Sequence, residues 1–136
     1  MPDKINLKNI SIVLHRTRSP ENIGAAARAI RNMGIGQLVV VDPQNCDLTK
    51  ICRLATHAAL DVIEQMEVCD TLDEALADFN FVIGTTARLG GQRKVVSSPS
   101  KLGPKLFSIS QGNRIAILFG PEDRGLTNRD IRFCDI

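Results

Sequence analysis

An α/β domain with a mostly parallel sheet and helices on both faces is the fold this sequence predicts, on three observations. Short β-branched apolar runs such as Gln37–Val41 and Arg114–Phe119 alternate with segments of helical periodicity. Gln37–Val41 is apolar at nearly every position, as a parallel strand buried on both faces is. Its end at Asp42-Pro43, and the glycine-bearing loops after the other runs, mark where strands hand over to the next element. At 136 residues the chain is one domain with a single core.

Asn9–Leu14 is the first strand, and a basic loop, His15–Arg18, follows it. The next helix carries its own start and stop. Ser19 can cap it, Pro20 suits the first helical position, and Gly34 suits a left-handed C-cap. Between them Ile23, Ala26, Ala27 and Ile30 recur at i, i+3, i+4 and i+7, one buried stripe. Gly24 and Arg28 share a face read as lying away from that stripe, which suggests close approach of another backbone or a ligand. The alternative is a solvated arginine above a tolerated glycine, at a cost of roughly 1 kcal/mol against alanine.

Gln37–Val41 is the second strand, Thr49–Ala59 a second helix, and Glu67–Cys69 a short strand. Thr71 and Glu74 form a capping-box pattern opening a helix through Ala77. Phe79–Gly84 is the next strand, Pro99–Ser110 a helix weakened by Gly103-Pro104, and Arg114–Phe119 the last strand. Thr127 caps a final short helix, with Asp130 three residues on.

Composition narrows the function. Net charge is only +2, but arginine concentrates in His15–Arg18, Arg28–Arg31, Arg88–Lys94 and Arg124–Arg132, at strand ends and in loops. With no Trp or Tyr and five Phe, base-stacking platforms are not expected. Cys46, Cys52, Cys69 and Cys134 form no C-x-x-C pair, so no metal site is indicated and reduced thiols in a cytoplasmic protein are expected. No apolar run approaches the ~20 residues of a membrane span. In an open parallel sheet the ligand lies beyond the carboxyl ends of the strands. There the candidate loops are His15–Asn22, Thr85–Lys94 and Gly120–Leu126. They hold neither G-x-G-x-x-G nor G-x-x-x-x-G-K-[ST], and no Ser/His/Asp grouping. His15 and His57 read as structural. What the loops offer is backbone amides, small hydroxyls, glycines and arginines, suited to a small polar cofactor beside a phosphate-binding surface.

Three ordered motifs carry a resemblance. Asn22-Ile-Gly-Ala-Ala-Ala-Arg28, Gly84-Thr-Thr-Ala-Arg88 and Phe119-Gly-Pro-Glu-Asp-Arg-Gly-Leu126 are together similar to the TrmH family of SPOUT-class RNA 2′-O-ribose methyltransferases, most of all its TrmJ branch. The likeness runs from about Asn9 to Cys134. It implies a sheet tied C-terminally in a trefoil knot, S-adenosylmethionine as cofactor, and methylation of tRNA, in this branch at position 32. By motif, Thr85, Thr86 and Ala87 would line the cofactor pocket, with Gly120 offering backbone contact and Leu126 and Glu122 supporting it. Asn22 and Arg28 would face the ribose, Arg28 as the catalytic candidate reaching the other subunit of a homodimer. Arg16, Arg18, Arg88, Arg93 and Lys94 are the RNA-contact candidates. The family's third motif is not found before Ile136, so the expectation is a 1–136 methyltransferase domain lacking its C-terminal knot segment. The competing expectation is an RNA-binding module of the same fold without activity.

Overall fold

The computed structural model describes residues 5–54, 59–85, 106–121 and 125–135. Its strands are β1 (Ile10–His15), β2 (Gln37–Val41), β3 (Glu67–Cys69), β4 (Phe81–Gly84) and β5 (Ile115–Phe119). Its helices are α1 (Pro20–Met33), α2 (Leu48–Leu54), α3 (Leu60–Gln65), α4 (Leu72–Leu76), helical residues 106–110 (α5) and α6 (Asn128–Ile131). The five strands form one parallel sheet in the order β3-β2-β1-β5-β4. β1 and β5 are therefore central.

Strand apolarity on both faces has the expected consequence, a layer of helices on each side. On one face Ile12, Leu14, Leu38 and Val40 pack with Ile23, Ala27 and Ile30 of α1, Ile51 of α2 and Ile63 of α3. On the same face, further along the sheet, Ile83, Ile115 and Ile117 meet Leu106 and Ile109 of α5. The other face joins Val13, Val39, Val41, Val82, Ala116 and Leu118 to Leu72, Ala75 and Leu76 of α4 and to Ile131 of α6. Full burial of Ile23 and Ile30 contributes roughly 1.5–3 kcal/mol each.

Helix α1 follows its sequence signals closely. The Ser19 hydroxyl accepts from Asn22 N at 3.3 Å, Pro20 is the first helical residue, and Gly34 closes the helix at φ 76. One detail differs. Gly24 is buried, Ala26 only half-buried and Arg28 exposed, so the buried arc is Pro20, Ile23, Gly24, Ala27 and Ile30. Helix α2 packs on the flank of α1 as well as the sheet beneath, and the buried arc is wider than a stripe facing the sheet alone.

Two further differences follow from tertiary contacts. The single helix expected over Thr49–Ala59 ends at Leu54 among the described residues, and a separate α3 begins at Leu60 without a side-chain cap to announce it. The family resemblance without a third motif would leave Ile131 and Phe133 on an apolar face with no partner; instead both pack, partly buried, against the core cluster that includes α4. Past α6, Asp135 N–H donates to Val82 O and Asp135 Oδ2 accepts from Val82 N–H, both at 2.7 Å. Both outward main-chain groups of Val82, on edge strand β4, are thereby satisfied. No helix among the described residues is long and apolar enough to cross a membrane.

Candidate active site

Strand register sets the site. Leu14 pairs with Phe119 and Gly84 with Leu118, so the chain leaves β1, β5 and β4 within about one residue row of each other. The three motif-bearing loops therefore start at the same end of the sheet, with the exit of β5 between the other two. Continuing the register by one row sets Gly120 beside His15.

The loop after β1 is held by the loop after β2. Arg16 and Asp42 both take left-handed backbone, at φ 57 and φ 45. These are unusual values for non-glycine residues. Arg16 N–H donates to Val41 O at 2.8 Å and Asp42 N–H to Cys69 O at 2.9 Å, so each turns out of the sheet while still bonded to its neighbour strand. Gln44 completes the clamp: its side chain donates to Arg16 O at 3.2 Å and its backbone N–H to Thr17 O at 3.0 Å. Thr17 is 1% exposed. The Arg16 guanidinium lies 3.7 Å from the Asp42 carboxylate with both side chains half exposed, a solvent-screened pair worth at most about 1 kcal/mol. Arg18 is exposed. Sequence reading took Asp42 only as the end of a strand; its tolerance of left-handed backbone was the available signal.

Asn22 and Arg28 are both exposed on α1. Because α1 runs back along the sheet, Arg28 lies about 12 Å down the helix from Pro20, at 1.5 Å per residue. Among the described residues it has no hydrogen-bond or ion-pair partner. The fold brings Asn22 to the carboxyl end of the strands and sets Arg28 on the outer surface.

The loops after β4 and β5 are held largely by main chain. Thr85 N–H and Thr85 Oγ1 both donate to Leu118 O, at 3.1 and 3.0 Å, so the residue is fastened to β5. A Cβ on Gly120 would fall inside the carbonyl of Gly125 and 2.5 Å from Leu126 N. Only glycine lets the loop fold back onto its own start. Gly125 N–H closes the loop onto Pro121 O at 2.7 Å, with φ 70 at Gly125. Leu126 is 1% exposed and fixes the loop's end in the core. Thr86, Ala87, Arg88, Arg93, Lys94 and Glu122 lie outside the described residues.

His15 and Asp130 form a contact that the sequence did not announce. Asp130 belongs to a full capping box: its Oδ2 accepts from Thr127 N at 3.1 Å, and Thr127 Oγ1 accepts from Asp130 N at 3.1 Å. Its other oxygen, Oδ1, lies 3.2 Å from His15 Nδ1. The geometry is off-line for a hydrogen bond, which leaves Nδ1 buried without a well-directed partner. Cys134, next to this cluster, has its thiol pushed up to about 11 by burial and then by the carboxylates of Asp130 and Asp135.

A cavity of about 410 Å³ lies at the opposite end of the sheet, lined by Lys8, Arg31, Gln37, Asp61 and Gln65 among others. Its lining includes no motif residue, so volume and chemistry point to different places, and the motif segments define the candidate site. No cluster of three or more His, Cys, Asp or Glu suited to a metal occurs among the described residues.

Comparison with known proteins identifies the family. The SpoU rRNA methylase family matches residues 9–136. The chain is 38% identical over 128 residues to an uncharacterized tRNA/rRNA methyltransferase, LasT, of Escherichia coli K12, covering 93% of this chain and 56% of that protein. It is equally 38% identical over 128 residues to the tRNA (cytidine/uridine-2′-O-)-methyltransferase TrmJ of an E. coli O6 strain, covering 94% of this chain and 52% of that protein. The crystal structure of a methylase family protein from Neisseria gonorrhoeae superposes with a TM-score of 0.83 at 34% identity, covering 99% of this chain and 71% of that one. The chain thus spans about half the length of the curated relatives it matches. From its sheet order to the motif loops at the strand ends, this chain belongs to the SpoU rRNA methylase family.

Proposed function

We propose that this chain carries the methyl-transfer domain of an RNA 2′-O-ribose methyltransferase that uses S-adenosylmethionine and acts on tRNA in the cytoplasm. The observation that carries the reading is that all three motifs begin at one end of a parallel sheet, one in the first turn of α1 and two at the exits of β4 and β5. Family membership supports methyl transfer, and the relative named as a tRNA (cytidine/uridine-2′-O-)-methyltransferase supports a ribose 2′-hydroxyl of tRNA as the acceptor.

The cofactor side fits such a group. Gly120 packs against the main chain of Gly125 and Leu126, and Thr85 is bonded to Leu118 O of the adjoining strand. Thr85, Thr86, Ala87, Gly120 and Leu126 would hold the cofactor, with Glu122 supporting the loop. S-adenosylmethionine supplies an electrophilic methyl group there.

On the acceptor side, Asn22 orients the ribose. The Arg28 guanidinium, always protonated and a donor only, stabilises negative charge developing on the 2′-oxygen and fixes the adjacent phosphate. Its place on the outer face of α1 supports action on the site of a second copy in a homodimer. Arg16 and Arg18, with Arg88, Arg93 and Lys94, contact phosphates.

The test is transfer of labelled methyl to tRNA followed by nuclease digestion to locate it. Arg28→Lys keeps cofactor binding and lowers turnover by about 10²–10³-fold. Undiminished turnover in that variant would remove Arg28 from the mechanism. Wild-type protein that binds tRNA without transferring methyl would make the domain a binding module.

A further inference from the structure

We infer that His15 carries a proton on Nδ1, donates it to Asp130, and so acts as a positioning residue that ties the cofactor-side loop to the strand from which the substrate-side loop departs. The functional half of this inference rests on the methyl-transfer reading; the bond itself does not. His15 is the last residue of β1, one position before the Arg16–Ser19 loop that leads to Asn22. Asp130 sits in the first turn of α6, four residues after Leu126 ends the Gly120–Leu126 loop. One contact therefore spans the two sides of the site.

The protonation state follows from burial. The two side chains are 16% and 7% exposed, and His15 Nδ1 itself is shut off from solvent. With Oδ2 of Asp130 already accepting from Thr127 N–H, Oδ1 at 3.2 Å is the acceptor left for the imidazole. A bare Nδ1 would set its lone pair against a carboxylate oxygen in a dry site, which is repulsive and leaves both atoms unsatisfied. An Nδ1–H satisfies both after a small rotation of the ring. The consequence is mechanical: α6 cannot drift from β1, and the loop that Leu126 anchors keeps its place beside Gly120.

Two measurements test this. The chain has two histidines, His15 and His57, so ¹⁵N NMR of the imidazoles with a His57→Gln variant assigns the His15 signals. The expected result at neutral pH is a protonated Nδ1; an Nε2–H tautomer with bare Nδ1 overturns the inference. In the second measurement, asparagine places an amide donor where Nδ1 stands, whereas glutamine reaches toward Nε2 and leucine donates nothing. His15→Leu and His15→Gln are expected to raise KM for S-adenosylmethionine about tenfold, the scale of one buried hydrogen bond, with kcat within about twofold. His15→Asn is expected to stay within about threefold of wild type in KM. An unmoved KM in His15→Leu, or His15→Asn as impaired as His15→Leu, overturns the positioning role. If wild-type protein binds no S-adenosylmethionine, the methyl-transfer reading and the positioning role both fall, and the tautomer alone judges the His15–Asp130 bond.

Discussion

Replacing Gly84 with alanine would put a methyl carbon 2.6 Å from Cys134 Sγ and 3.3 Å from Leu126 Cδ1. Ordinary contact between such atoms is near 3.5–4 Å, so the overlap with sulfur is about 1 Å. Leu126 can yield a few tenths of an ångström. Cys134 is half-buried, and its thiol contacts Asp130 O at 3.8 Å, so swinging it away gives up that contact. Overpacking of this kind costs about 1–3 kcal/mol. The collision is with one side-chain atom, so it can be relieved: Cys134→Ala alone costs about 1 kcal/mol, within the range for losing one partly buried heavy atom. In the double variant the new methyl occupies the space the sulfur vacated. Gly84→Ala/Cys134→Ala is therefore expected to be no less stable than Cys134→Ala, with a coupling of about 1–3 kcal/mol, the full cost of Gly84→Ala alone. Equilibrium urea unfolding reads this as a shift in midpoint at constant m-value, and thermal unfolding as about 3–5 °C per kcal/mol. Additive losses within about 0.5 kcal/mol, or an undisturbed Gly84→Ala, would refute the packing argument.

Other outcomes follow from the same geometry. Asp42 at φ 45 accepts glycine or asparagine, but Asp42→Val forces a β-branched residue into left-handed backbone and should cost about 1–2 kcal/mol in urea unfolding. Equal stability of all three variants would show that the loop is not held in that conformation. The thiols of buried Cys69 and half-buried Cys134 are both pushed up to about 11, so the folded chain keeps protons that the unfolded chain releases near 9.0. Their stabilisation is complete below pH 9 and is lost as pH rises toward 11. With no tyrosine in the chain, phenol titration does not overlap that window, and a urea midpoint that fails to fall from pH 9 to 11 contradicts the burial of these thiols. Arg18→Ala and Arg16→Ala should each flatten the dependence of tRNA affinity on log salt by up to about one. An unchanged slope in Arg18→Ala would exclude a phosphate contact there.

The location of Arg28 has a mechanistic corollary. If Arg28 acts as proposed, a second copy has to bring its own strand-end loops to the exposed face of α1 that carries it. Dimer dissociation should then abolish transfer even in protein that still binds cofactor, a result analytical ultracentrifugation and a transfer assay at matched concentrations would show together.

Local chemistry was legible in the sequence. Strands β2 and β5 announce themselves because a strand buried on both faces is nearly apolar throughout, and α1 because Ser19, Pro20 and Gly34 have conformational preferences of their own. The loops bearing Asn22, Thr85 and Gly120 could be assigned to strand ends for the same reason. Strand order could not, since pairing β5 between β1 and β4 depends on which distant surfaces bury best together. The same holds for Gly24, buried on a face that periodicity within α1 does not mark. It holds for Gly120, whose need for a bare Cα arises from main chain that folds back on it. Asp42 and Asp130 each read locally as the end of a strand and a cap; only tertiary packing sets them against Arg16 and His15. Sequence by itself determined the elements and the motif positions, because those rest on short-range preferences. Tertiary structure alone decided which residues meet at the site, because contacts between distant residues leave no local signature.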